Sequence, residues 1–301
     1  MNKILGNIGK TKFESKENED SDLLRIYDNI LKNKRGYVVK MPKKGESVVV
    51  CFSGGQDSVA NIGILLKEFG LNVYPFFINR GQSNYKYEKK SVDYFNRFYK
   101  KNFPKLYHSY KEIIVMTPGI EYKDMLRKTK RMMDNIPLSH NISYPARGPI
   151  VFLTGMEYGY SLKSKGVDIK TLFASNMSSD FSYHCSQTWV RLMNILFCQI
   201  LNDWSWQFIS LPIETEFKNY FDKDVFIKWA FENNIPLYKA RTCVKSFEIE
   251  CGDCPTCWDR RRGYKEAGVK DLTRYKFEMA EKYPTYYDHE KEEKNEKRNR
   301  G

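Results

Sequence analysis

The run Val48-Val49-Val50-Cys51-Phe52-Ser53-Gly54-Gly55-Gln56-Asp57-Ser58 constrains this chain more than any other segment. An apolar, β-branched stretch ends in a glycine pair and leads straight into helix-like sequence. A buried strand that turns sharply into a helix reads this way, and the free N–H groups and positive dipole end of that helix can hold an anion. Gly54 and Gly55 carry no Cβ, so the backbone there can take positive φ and approach a phosphate chain closely. Ser53 and Ser58 add hydroxyl donors, and Asp57 can hold Mg²⁺ or cap the helix. No lysine follows the glycines as in Gly-x-x-x-x-Gly-Lys-Ser/Thr, so this is not the common γ-phosphate loop. The plain alternative is a Gly-Gly turn with an Asp cap. A strand followed by the full Ser-Gly-Gly-Gln-Asp-Ser set argues against it.

Seven cysteines are present, and four of them (Cys243, Cys251, Cys254 and Cys257) fall in the spacing C-x7-C-x2-C-x2-C. Close C-x2-C turns bring thiolates within reach of one tetrahedral ion, which suits a metal site in a reducing compartment better than a disulfide framework. Zn²⁺ is the natural occupant, and a site closed by four thiolates is structural. An iron–sulfur cluster and free buried thiols are the alternatives. Cys51, Cys185 and Cys198 lie apart and read as core cysteines.

From residue 47 onward, strand-like and helix-like segments alternate. The Val48 strand leads to a helix that stops near Gly70. The strand Val73–Ile78, a basic aromatic helix from Lys86 to Lys101, and the strand Glu112–Met116 follow. A helix from Ile150 to Lys165 ends at Gly166, ahead of the strand Lys170–Ala174. Trp189, Leu192, Met193, Leu196 and Ile200 recur at helical spacing, Trp206–Leu211 is strand-like, and Val225–Phe231 is helical. Such alternation predicts a doubly wound parallel sheet with ligands at the carboxyl ends of its strands. Ahead of it, Asp22–Leu31 reads as a short amphipathic helix. The tail from Asp288 is almost wholly charged and reads as disordered. No apolar run reaches spanning length and the start lacks an apolar signal region, so a cytoplasmic protein that does not insert in a membrane is expected. The formal charge of +13 points to an anionic ligand or partner, with nucleotide, tRNA and an acidic protein surface all open.

Ser53-Gly54-Gly55-Gln56-Asp57-Ser58 resembles the pyrophosphate loop of the PP-loop ATPases, which break ATP between the α and β phosphates. Loop and cysteines together, in this order, resemble the QueC family, the 7-cyano-7-deazaguanine synthases. Linking segments agree. Asn79-Arg80-Gly81-Gln82 with Glu88 is similar to the family's Tyr-Gly-Gln…Glu, and Tyr144-Pro145-Ala146-Arg147 to its Val-Pro-Gly-Arg. Asp180-Phe181-Ser182-Tyr183 is similar to Asp-Phe-Ser-Gly-Tyr, and Asp222-Lys223 stands where the family has a lysine opening a helix. Thr242-Cys243, Cys251-Gly252-Asp253-Cys254 through Cys257 to Arg260, and Ala267–Tyr275 resemble its C-terminus. The resemblance covers about residues 47–276. The chain departs where Arg80 replaces a tyrosine, Gly148 replaces the asparagine after the family arginine, and Tyr183-His184-Cys185 replaces Tyr-Pro-Asp-Cys.

The resemblance implies an N-terminal extension (1–45), a PP-loop ATP-binding α/β domain (46–240), a small helical module (241–281) that binds zinc through the four cysteines, and a charged tail (282–301). It implies ATP, Mg²⁺ and Zn²⁺ as cofactors and 7-carboxy-7-deazaguanine as substrate. The carboxylate is adenylated, ammonia displaces AMP to give an amide, and a second activation dehydrates the amide to the nitrile. Asp57, Ser58, Arg147 and Lys223 would act on the phosphates. Ser53, Gly54, Gly55, Gln56, Asp57, Ser58, Gln82 and Asp180 would hold the nucleotide, and the four cysteines the zinc. A homodimer is expected. QueC-like proteins of anti-phage defence operons (type IV CBASS and Qat) suggest another acceptor, an amine on a partner protein from the same operon. Loss of the asparagine at Gly148 and of the aspartate at His184 would open the acceptor side for it. A tRNA-acting PP-loop enzyme and a degenerate RNA-binding fold with a zinc knuckle are the remaining readings.

Overall fold

The computed structural model describes residues 18–82, 84–115, 147–180 and 182–279. The expectations for Met116, Tyr144-Pro145-Ala146, Phe181, the first residues and the charged tail lie outside them. Five strands, β1 (Ser47–Cys51), β2 (Asn72–Asn79), β3 (Lys111–Ile114), β4 (Ile169–Ala174) and β5 (Gln207–Ser210), form one sheet in the order β3-β2-β1-β4-β5. Every neighbouring pair is parallel. The order reverses beside β1, which places a ligand crevice at that strand's carboxyl end.

Alternation along each strand divides the core in two. Val48, Val50, Phe77 and Phe173 pack on one face with α2 (Gln56–Lys67), α3 (Tyr85–Asn102) and α6 (Lys223–Glu232). Val49, Phe76, Ile78 and Leu172 face the other way, against α4 (Arg147–Lys163) and α5 (Gln187–Leu201). Both faces of β1, β4 and β5 and most of β2 are covered, so these strands read as largely apolar runs, while the edge strand β3 stays partly exposed. Boundaries move slightly from expectation. Helix α4 opens at Arg147, ahead of Ile150, and β5 gives way after Ser210 to a 3₁₀ turn over Leu211–Ile213.

The amphipathic segment before β1 forms α1 (Ser21–Arg35), capped by Asp20 through Asp22 N and Leu23 N. It buries Leu24 and Leu31 and lies along α5. Polar contacts fasten it. Arg191 of α5, fully buried, grips the equally buried Glu214 with Nη1 and Nη2 at 2.8 and 2.6 Å, and reaches Asp28 of α1 with Nε at 2.7 Å. The Glu19 carboxylate accepts from Gln187 N and Thr188 N, capping α5 from another part of the chain. Helix α5 buries Val190, Met193, Phe197 and Cys198. The apolar stripe Leu192, Leu196 and Ile200 is 42, 37 and 54% exposed.

Candidate active site

Between β1 and α2 the chain turns at Gly54, whose φ is +76°. A Cβ there would lie 2.9 Å from Val92 Cγ2 and 3.1 Å from Glu88 O, so α3 packs where only hydrogen fits. The turn is held in place: Gly54 O accepts from Ser91 Oγ at 2.7 Å and from Arg241 N at 2.9 Å. Gly55 is the N-cap of α2, and no side chain caps that helix. Its first amides therefore remain available to an anion. Ser53 and Ser58 hydroxyls lie 3.1 Å apart above the turn. Gln56 is buried with neither amide atom bonded to a described residue. A loop shaped by Gly54, with uncapped amides and unspent polar groups, fits a phosphate chain.

Asp57, in the first turn of α2, keeps a partly exposed surface, yet its Oδ1 is sealed and has no hydrogen-bond partner among the described residues. Burial pushes its carboxyl up to about 7; Lys223 opposes the shift, and Asp180, Asp222 and Asp259 add to it. Lys223 opens α6 and is itself buried. Burial works against its ammonium, but those carboxylates outweigh burial and hold it above its ordinary value. Its Nζ donates to Ser179 Oγ at 3.1 Å and approaches Asp180 Oδ1 at 3.5 Å and Asp222 Oδ1 at 3.9 Å. Arg262 of α7 (Pro255–Glu266) closes the group with a 2.7 Å bond to Asp222 Oδ2. An orphaned carboxylate oxygen amid like charges fits a divalent cation, which would keep Asp57 ionised. Asp222 is Lys223's neighbour in sequence, whereas Ser179, Asp259 and Arg262 escaped the sequence reading because only the fold brings them to Lys223.

A cavity of about 300 Å³ opens at the carboxyl ends of β1, β2 and β4. Ser53, Asp57 and Ser58 line its loop end. Phe52, Phe77, Ile78, Val151 and Phe152 give apolar walls, and Arg80, Glu88, Ser175, Asn176 and His184 are polar. Lys223 and Asp180 stand beside Asp57 but not on the cavity wall. Gln82 is not on it either. Its Nε2 donates to Glu88 Oε2 at 2.7 Å and its Oε1 accepts from Arg80 N at 2.9 Å, which shapes the turn after β2. Arg147 begins α4, and its side chain lies outside the described part. Gly148 and His184 both line the cavity and pack against each other. A Cβ there would lie 2.7 Å from both Cβ and Cγ of His184. The imidazole occupies that space, so two of the chain's departures meet in one contact.

The four cysteines are buried, and their Sγ atoms all lie within 4.8 Å of one another. Cys251 and Cys257 are 3.7 Å apart, Cys254 and Cys243 3.9 Å. A tetrahedron with zinc–sulfur arms of about 2.3 Å has edges of about 3.8 Å, so the set fits zinc. Main-chain donors face the sulfurs: Lys245 N and Cys251 N to Cys243 Sγ, and Cys254 N to Cys251 Sγ. The buried Arg260 stitches this segment to the preceding turn, donating to Ala240 O, Thr242 Oγ1 and Leu237 O. Two bonds carry the module to the nucleotide side, Arg241 N to Gly54 O and Asn84 Nδ2 to Cys243 O.

A parallel sheet with order reversal at β1, an uncapped glycine loop at that point and a four-cysteine knuckle behind it define a PP-loop ATPase fold with a metal-binding C-terminal module. The family model described as "Queuosine biosynthesis protein QueC" matches residues 47–268, and the chain belongs to that family. It is 30% identical over 234 residues to the 7-cyano-7-deazaguanine synthase of Acetivibrio thermocellus, covering 75% of this chain and 96% of that protein. Against the 7-cyano-7-deazaguanine synthase of Thermoplasma volcanium it is 28% identical over 253 residues, covering 82 and 95%. Among solved structures, the U34-tRNA thiolase NcsA from Methanococcus maripaludis, with its iron–sulfur cluster, overlaps 82% of this chain and 72% of its own at a TM-score of 0.35 and 13% identity. At that score the overlap has no functional weight.

Proposed function

We propose that this chain uses ATP to adenylate the carboxylate of 7-carboxy-7-deazaguanine and transfers the acyl group to ammonia, giving the amide and then 7-cyano-7-deazaguanine. The observation that carries the reading is the shared cavity. The phosphate loop forms one end of an aromatic-walled space sized for a flat heterocycle. Nucleotide and acid can therefore meet at the α-phosphate. One carboxylate oxygen attacks that phosphorus, the bond to the β-phosphate oxygen breaks, and pyrophosphate leaves. The loop amides and the α2 dipole end would take up the leaving charge. Ammonia then attacks the acyl carbon and AMP departs with its electron pair. The amide oxygen attacks the α-phosphate of a second ATP with loss of pyrophosphate, and departure of AMP with loss of the two amide protons leaves the nitrile. Asp57, with Asp180 nearby, would hold Mg²⁺, which offsets phosphate charge when bound. Lys223 keeps these carboxylates oriented, and Arg147 would offset phosphate charge. Zn²⁺ on the four cysteines would be structural.

Ammonia is taken as acceptor because the curated relatives are 7-cyano-7-deazaguanine synthases, whose product carries a nitrile and no larger amine. The test is to incubate the protein with ATP, 7-carboxy-7-deazaguanine and ammonia, following nucleotides and deazapurines by mass spectrometry. AMP, pyrophosphate and the nitrile are expected. ADP in place of AMP overturns the bond assignment, and an acyl adduct on a protein amine overturns the acceptor.

A further inference from the structure

Ser175 follows β4 directly, and nothing in the loop or cysteine readings involves it. It lines the cavity, yet its Oγ is buried and has no hydrogen-bond partner among the described residues. A buried hydroxyl left this way is costly, so an orphan on a cavity wall marks a place where a ligand completes the bonding. The backbone on either side is fixed. Ala174 O accepts from Asn61 Nδ2 at 3.2 Å; Asn176 N donates to Ser210 Oγ at 2.8 Å, and that hydroxyl returns a bond to Asn176 O at 3.3 Å. Asn61 and Ser210 are both fully buried. The hydroxyl is thus presented from a rigid support.

The register says which end of the cavity it serves. In the parallel pairing of β1 with β4, Val50 faces Phe173. Continuing that register sets Ser175 beside Phe52, at the entrance to the phosphate loop. Gly148, His184 and Phe152 line the same cavity from α4 and the segment before α5. Its place beside Phe52 puts Ser175 next to the loop, where an acid must bring its carboxylate to the α-phosphate.

We propose that Ser175 is a substrate-binding residue whose hydroxyl donates to one carboxylate oxygen of the bound acid and so turns the other toward the phosphorus. Ser175 keeps its proton and forms no covalent bond. Arg80, which lines the same cavity just after β2, adds positive charge that suits a carboxylate. Cys51 does not compete for that charge, because burial pushes its thiol up to about 12. The inference rests on the adenylation proposed above.

The experiment measures steady-state AMP formation by the full chain with 7-carboxy-7-deazaguanine and ATP varied separately, for wild type, Ser175→Ala and Ser175→Thr. Ser175→Ala should raise KM for the acid roughly tenfold, as loss of a hydrogen bond to a charged group does, and leave KM for ATP unchanged. Ser175→Thr, which keeps a hydroxyl, should restore most of the loss. The ligand-free melting temperature of Ser175→Ala should be equal or higher, since an unpartnered polar atom has been removed; a structural serine would lower it. An unchanged KM for the acid, or a rise in KM for ATP alone, overturns the inference while the adenylation stands. A wild-type protein that makes no AMP with this acid overturns the functional reading, and the inference falls with it.

Discussion

At the level of single residues, Asp57 gives the sharpest expectation. Its carboxyl is moved from 3.8 to about 7 by burial, so the native state holds more protons than the unfolded chain between those values. Stability of the ligand-free protein should therefore fall as pH rises through that window. Binding of a divalent cation with ATP must expel the proton. Apparent Mg–ATP affinity should thus increase from about pH 6 to about pH 8. Asp57→Asn should flatten both profiles, lose AMP formation and melt higher than wild type above pH 7. Calorimetry across that range checks it, and a wild-type affinity independent of pH refutes it. Much of this was legible in the chain. Ser53, Gly54, Gly55, Asp57 and Ser58 sit in one short run, so local sequence carries their geometry. Ser179, Asp259 and Arg262 could not be found that way. Each is an ordinary polar residue until the fold brings it to Lys223. The Gly148–His184 contact was hidden for the same reason: both substitutions were visible, but not that one ring fills the space the other residue vacates.

Among the elements, the cysteine module and the phosphate loop are joined directly. The Arg241 amide donates to Gly54 O, and Arg241 is two residues from the first cysteine. If zinc orders the knuckle, it also steadies the loop. Wild-type protein should contain one zinc per chain. Cys254→Ser should lower zinc content, reduce soluble yield and speed hydrogen exchange across Gly54–Asp57. Exchange in those amides that stays at the wild-type rate would show that the module does not support the loop. The cysteine spacing predicted the knuckle. The bridge to the loop was not predictable, because it is a main-chain bond and carries no residue signature. Strand order was legible only as a class. Alternation implied a parallel sheet, while β3-β2-β1-β4-β5 depends on crossovers that no segment records by itself.

For the whole molecule, the exposed stripe on α5 bears on assembly. Leu192, Leu196 and Ile200 follow one another along that helix and stay open to solvent, with Leu23 and Ile26 also exposed on the neighbouring α1. Apolar residues clustered on adjoining helices suit a self-complementary contact between two copies. Light scattering should give twice the chain mass for wild type, and Leu196→Glu should give the monomer with its melting temperature kept. A monomeric wild type at micromolar concentration would remove the expectation of a homodimer. Helical spacing had marked these residues, but spacing cannot say which side of an apolar helix the core takes. No helix among the described residues is long and apolar enough to cross a membrane.

The family match begins at residue 47, but the folded unit begins earlier. Glu19 caps α5, Asp28 completes the bonding of Arg191, and Arg35 donates to Trp206 O at the start of β5. Asn18 reaches the backbone carbonyls of Asp180 and Ser182, next to the residues that wall the acceptor side. A gene trimmed to the homologous region would keep every signature of the family, yet it would encode a protein whose α5 keeps only its Ser186 cap and whose buried Arg191 lacks its Asp28 partner. Boundaries drawn by sequence similarity mark what relatives share, and in this chain the parts that hold the shared site in place extend beyond them.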